Sequence, residues 1–307
     1  MVRRLRCSAL VAVMLVLATA CDQEGAGTSP PPPRTSGPTT GISATGPPTP
    51  TLPTPMEVIS ADVGEFSTSK NLHDPMLTVY APTEPGPVPW PVVVFITGGG
   101  DLRSQGGPLS EAIAGMGAVV YTFSWSVDRW RWESVFGYVR CAIGMARSTA
   151  PDFGGDPSHL VLSGYAAGGS MGINLALDME AYPAKDCTTK EDARPAHAFV
   201  GLDPTPLVPE DEFTATAGEN LQGAARTFDP YPRIGMNPGL LVRLVHGNYG
   251  PTLESIPRFS AALEDAGYDV AVLHDEETDH GLMRDPTSPG GRLGLQALWE
   301  VLQTLVA

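Results

Sequence analysis

Apolar residues in this chain fall into short runs separated by turn-forming residues, and two spacings alternate along its length. Val92-Val93-Val94-Phe95-Ile96 is apolar without a break, as suits a strand covered on both faces. Further strands are predicted over 118–123, 160–162, 198–202, 240–245 and 268–274. Earlier, 56–62 and 76–80 alternate or run in β-branched and apolar residues, and predict antiparallel strands that open the sheet. Helical spacing fills the gaps. The stretch 133–147 brings Phe136, Val139, Ile143 and Ala146 to one face before Pro151. Over 253–266, Ile256, Phe259 and Leu263 line up and Gly267 ends the helix, and 293–306 carries a stripe of Leu295, Leu298, Leu302 and Leu305. A short helix is predicted over 110–116, closed by Gly117. Strands alternating with helices after an antiparallel start predict one α/β domain over 56–307, with a mostly parallel, doubly wound sheet. The proline-rich insertion over 203–238 carries no clear period, and the pattern leaves open whether it is a lid or a loop packed on the body.

The most informative stretch is LVLSGYAAGGSMGINLAL, 160–177: a short strand, a turn from Gly164 to Gly168, and a helix of small and apolar residues. A strand-turn-helix this tight needs glycine two positions before and two after its apex, because the two elements nearly touch there. That spacing is the G-x-S-x-G pattern of a nucleophile elbow, but the apex is Ala166. Gly168-Gly169-Ser170-Met171-Gly172 spells the pattern again one helical turn later, making Ser170 an alternative nucleophile. The first register joins strand to turn directly; the second leaves 164–167 as extra linker.

Ahead of the domain the composition changes. Arg3, Arg4 and Arg6 precede an apolar run over 9–20, too short to span a bilayer as a helix and placed as a signal peptide over 1–20 would be. It ends Leu17-Ala18-Thr19-Ala20-Cys21, which resembles a bacterial lipobox and implies lipidation of Cys21 and a protein exported to the outer face of the cell membrane. Residues 22–55 are rich in Pro, Thr, Ser and Gly and predict a disordered tether, which at about 3 Å per residue reaches roughly 100 Å when extended. An exported domain left with Cys141 and Cys187 invites a disulfide between them. The formal charge of −15 argues against nucleic acid or an anionic membrane surface as partner, leaving membrane contact to the lipid alone. No cofactor or metal motif is present: the histidines have no ligand spacing, and Gly98-Gly99-Gly100 is not followed by a phosphate-loop lysine.

The chain resembles α/β-hydrolases of the esterase, lipase and carboxylesterase type over essentially all of 56–307. VVVFITGGG is similar to the strand ending in HGGG that supplies oxyanion-hole amides, and FGGDPSHLVLSGYAAGG to the segment running into the elbow. LVHGNYGPTLESIPRFSAALEDAG is similar to the seventh strand and following helix, and ETDHGLM to the histidine loop. The resemblance implies Ala166 at the nucleophile position, His280 as base, and oxyanion donors at Gly98, Gly99, Gly100 and Ala167. Thr97 stands where HGGG has its histidine. The family's acid position falls on Gly250, so Glu254 or Asp203 is the candidate substitute. Trp125 and Trp130 are candidate walls of a pocket for a small acyl or carbohydrate ester.

Alanine has no atom with which to attack a carbonyl, and loss of the nucleophile from such a triad costs about six orders of magnitude in rate. With both Ala166 and Gly250 departing from the pattern, the leading expectation is a lipid-anchored, esterase-like protein without covalent catalysis, a pseudoenzyme or binding protein. The alternative is an active carboxylic-ester hydrolase, using Ser170 or with Ala166 replacing a native serine. A purely structural envelope protein is the third class.

Overall fold

The computed structural model describes residues 51–99, 102–125, 132–190, 192–212 and 222–306. The signal segment, Cys21 and the tether lie outside the described residues. Eight strands form one sheet: β1 (Val58–Glu65), β2 (Met76–Pro82), β3 (Trp90–Ile96), β4 (Val119–Phe123), β5 (Gly155–Tyr165), β6 (Ala198–Leu202), β7 (Leu241–His246) and β8 (Asp269–His274). Their spatial order is β1-β2-β4-β3-β5-β6-β7-β8, with β1, β2 and β4 paired antiparallel and every later pairing parallel. The helices are α1 (Arg103–Ala114), α2 (Trp132–Thr149), α3 (Ala167–Leu177), α4 (Gln222–Phe228), α5 (Gly250–Asp265) and α6 (Pro289–Val306).

The unbroken apolar run of β3 follows from its two covered faces. Val92, Val94 and Ile96 enter a core with Phe136, Val139 and Ile143 of α2 and Ile256 and Phe259 of α5. Val93 and Phe95 enter a second core with Leu109 and Ile113 of α1 and Leu295 and Leu298 of α6. The body reaches back beyond the expected start at Met56, since Leu52 packs on the second core.

Three helices begin earlier than their periodicity suggests. Helix α1 starts at Arg103, not at 110, because Gly106 and Gly107 are close-packing positions and not breaks: a Cβ on Gly106 would meet Thr122 Oγ1 at 2.9 Å and Thr97 Cγ2 at 3.0 Å. Helices α5 and α6 start at Gly250 and Pro289, with Pro251 and Pro289 at the first helical positions, where the N–H that proline lacks has no intrahelical partner anyway.

Much of the described part of the insertion over 203–238 packs on the body. Phe228 meets the ring of Phe136 edge-on at 5.3 Å, Leu207 is fully buried, and Asn174 of α3 donates to the Phe228 carbonyl. On the far side of α2 the segment 178–197 is tied down by the Cys141–Cys187 disulfide, with Cα atoms 5.0 Å apart. The buried Arg147 guanidinium donates to Asp192 and to the carbonyls of Arg194 and Pro195. Burial works against ionisation of Asp192, but hydrogen bonds from Arg194 and the charge of Arg147 outweigh it and hold its carboxyl well below the usual range. No helix among the described residues is long and apolar enough to cross a membrane.

Candidate functional site

The first reading of the glycine turn is the one that forms. β5 runs to Tyr165, α3 begins at Ala167, and Ala166 sits between them at φ 52, ψ −126. A non-glycine residue held there carries strain of about 1–3 kcal/mol. The flanking glycines explain how the chain makes the turn. A Cβ on Gly164 would lie 2.5 Å from the Gly168 carbonyl oxygen, and one on Gly168 would lie 2.1 Å from the carbonyl oxygen of Thr97. Strand, helix and the end of β3 are therefore in main-chain contact.

Ser170 does not reach this turn. Gly168 to Gly172 are helical, and the Ser170 hydroxyl is buried and donates to the Pro206 carbonyl at 2.7 Å. The alternative-nucleophile reading is corrected accordingly: the second G-x-S-x-G lies inside α3.

The loops after β6, β7 and β8 converge on the apex. Ala166 N–H donates to the Leu202 carbonyl at 3.0 Å, and Thr205 N–H donates to the Ala166 carbonyl at 3.2 Å, so the apex is stitched to the loop that carries Asp203. Asp203 is fully buried, at φ 44, and its Oδ2 lies 3.0 Å from His280 Nδ1. Its Oδ1 accepts the Gly247 N–H at 2.9 Å, with the Thr252 hydroxyl at 3.3 Å. A carboxylate only accepts, so Nδ1 carries a proton, and in the neutral imidazole Nε2 is the nitrogen with the lone pair.

This settles which acid pairs with His280. Glu254 is exposed on α5, while Asp203 reaches the imidazole. Gly250 is the first residue of α5. The carboxylate that His280 meets lies instead in the loop after β6.

Two rings that sequence reasoning did not assign fix the imidazole plane. Tyr249 stacks on it at 4.2 Å and 25°, and Tyr165, the residue before the apex, lies at 4.9 Å and 32°. The signal was present: Tyr165 is next to the apex, and Tyr249 is in the loop after β7. His280 itself is 25% exposed. His246, at the end of β7, stacks on His274 at 4.3 Å, and burial followed by the charge of His274 lowers its affinity for a proton.

The expected oxyanion donors divide. Ala167 opens α3, where first-turn N–H groups lack intrahelical acceptors, and Gly98 and Gly99 follow Ile96 and Thr97, whose carbonyls lie against Gly168. Gly100 lies outside the described residues. Thr97, at the position of the HGGG histidine, is buried and donates from its hydroxyl to the Phe123 carbonyl. Trp125 is corrected from pocket wall to core: it is 1% exposed, packs with the α2 face and donates its indole N–H to the Thr97 carbonyl at 2.7 Å. Trp130 lies outside the described residues. Among the described residues no cluster of His, Cys, Asp and Glu has the arrangement of a metal site.

An elbow apex, a buried carboxylate paired with a partly exposed imidazole on two other strand-end loops, and a mostly parallel sheet with antiparallel first strands are now in place. The fold is that of the α/β-hydrolases. Esterase 2 of the planctomycete Thermogutta terrifontis superposes in its apo form with a TM-score of 0.63 at 24% identity, over 84% of this chain and 96% of that one. Its propionate-bound form gives 0.61 at 22% identity, over 84% and 95%. Esterase B of Lactobacillus rhamnosis gives 0.59 at 14% identity, over 83% and 88%. No protein-family model matches the sequence, and no curated protein matches it.

Proposed function

We propose that this α/β-hydrolase-fold protein is an esterase-like scaffold that keeps its acid–base pair and oxyanion turn but lacks the covalent nucleophile. The observation that carries the reading is the buried Asp203 paired with His280, on a loop main-chain-bonded to an apex whose side chain is a methyl group. Ala166 is the nucleophile position, Asp203 the acid, His280 the base, and the N–H groups of Ala167 and Gly99 the oxyanion donors. The ligand is a small acyl ester; the Thermogutta terrifontis esterase has been seen with propionate and with butyrate. Among the three triad roles only the nucleophile atom is absent, and the protein does not form an acyl-enzyme.

In the test of this reading, the full chain and its Ala166→Ser variant are compared on p-nitrophenyl butyrate. The reading expects the variant to gain turnover by at least 100-fold, since a positioned base and oxyanion donors each contribute about 10²–10³. No gain would refute it.

Export and anchoring belong to the same proposal. The Leu17 to Cys21 motif, the proline-rich tether and the disulfide support a lipoprotein held by Cys21 on the outer face of a bacterial cell membrane. Cys21→Ala is expected to move the protein from the membrane fraction to the soluble fraction.

A further inference from the structure

We infer that the site hydrolyses activated esters without a covalent intermediate, with water as nucleophile and His280 as its general base. This rests on the reading of Ala166 as the nucleophile position.

Two costs are retained that a merely inherited shell has no reason to keep. The apex stays at φ 52, ψ −126 with no functional side chain to present. Asp203 is fully buried and faces an ionisable partner, an arrangement that well-packed apolar side chains often equal or better in stability. Both costs fall at one place, since the apex N–H and C=O bond to Leu202 and Thr205 on either side of Asp203. The imidazole has ring contacts with both Tyr165 and Tyr249, yet a quarter of it is exposed. It is a base held rigid and open to solvent. Replacing CH₂OH by CH₃ at the apex removes the hydroxyl oxygen, which is about the size of a water oxygen.

The chemistry balances with water alone. His280 Nε2 takes a proton from water as the water oxygen bonds to the ester carbonyl carbon, and the carbonyl π electrons pass to oxygen beside the Ala167 and Gly99 amides. Collapse of this tetrahedral species breaks the carbon–oxygen bond to the alcohol, and the imidazolium returns its proton to the departing oxygen. The products are a carboxylic acid and an alcohol, with nothing oxidised or reduced. Water attacks more weakly than an activated serine, so the substrates are esters of acidic alcohols, aryl esters above all.

The test uses the full chain with p-nitrophenyl acetate, beside His280→Ala, His280→Gln and Asp203→Asn, with folding of each checked by circular dichroism. The expected result is slow, linear turnover with no burst, insensitive to a fluorophosphonate and slower in D₂O. It falls about 100-fold in both His280 variants. His280→Gln keeps an N–H near Asp203, so its loss of rate separates proton transfer from support of the loop. Equal rates for the full chain and the His280 variants would overturn the inference, as would turnover unchanged in D₂O, which would mean attack by the imidazole itself. If the full chain is inert while Ala166→Ser turns over, the site reading stands and this inference fails. If Ala166→Ser is inert too, both fail.

Discussion

The site has two halves that are held in different ways. The apex half is fixed by main-chain contact: Gly164 and Gly168 leave no room for a Cβ, and the strained residue between them contributes no reactive atom. The acid–base half is fixed by the Asp203 side chain, which gathers Gly247 from the end of β7, Thr252 from α5 and His280 from the loop after β8. The first half keeps the elbow geometry around a methyl side chain, and the second keeps a carboxylate hydrogen-bonded to an imidazole. A shell that was decaying as a whole would leave both halves loosened.

The contrast predicts a ranked series of effects. The largest is Gly168→Ala, where the new methyl meets main-chain oxygens at 2.1 and 2.3 Å that cannot step aside. We expect a loss of about 3 kcal/mol and a fall in Tm of roughly 10 °C in thermal unfolding. Next is His280→Ala, which leaves the buried Asp203 carboxylate short of a donor and is expected to cost about 1–3 kcal/mol in urea titration. A negligible cost there would mean that water already serves Asp203. Ala166→Gly acts in the opposite direction. It relieves the positive φ but loosens the unfolded chain, for a net gain of about 0.5–1 kcal/mol.

The smallest effect is one of pH, and it runs through His246, the residue before Gly247. In the folded protein, burial and the neighbouring His274 hold His246 below its ordinary value of 6.5. The folded state thus binds fewer protons than the unfolded chain, and the stabilisation is complete above pH 6.5 and lost as pH falls through the folded value. A Tm that declines between pH 7 and 5, and declines less in His246→Gln, is the expected result.

Much of this was legible in the sequence, for physical reasons that differ by element. The apolar run of β3 declared itself by its length, and the glycine spacing around Ala166 because it follows directly on an apolar strand, which the same spacing at 168–172 does not. The starts of α1, α5 and α6 did not. At Gly106 and Gly107 a tertiary contact overrides poor helix propensity, and at Pro251 and Pro289 the first helical turn tolerates a residue that elsewhere ends a helix. His280 was found by its loop. Its partner was narrowed to Glu254 or Asp203 and no further, since the choice depends on which strand-end loop reaches the imidazole. Trp125 misled because an aromatic beside a glycine turn reads equally as pocket wall or as core, and only the Thr97 carbonyl on its indole N–H decides.

The central claim, that only the nucleophile is missing, is tested most directly by labelling with a fluorophosphonate and reading intact mass. The account predicts no label on the full chain, one label per molecule on Ala166→Ser, and loss of that label when His280→Ala is added. An unlabelled Ala166→Ser chain that folds normally would contradict it, because a hydroxyl at the apex would then lack the base and oxyanion donors the geometry places around it.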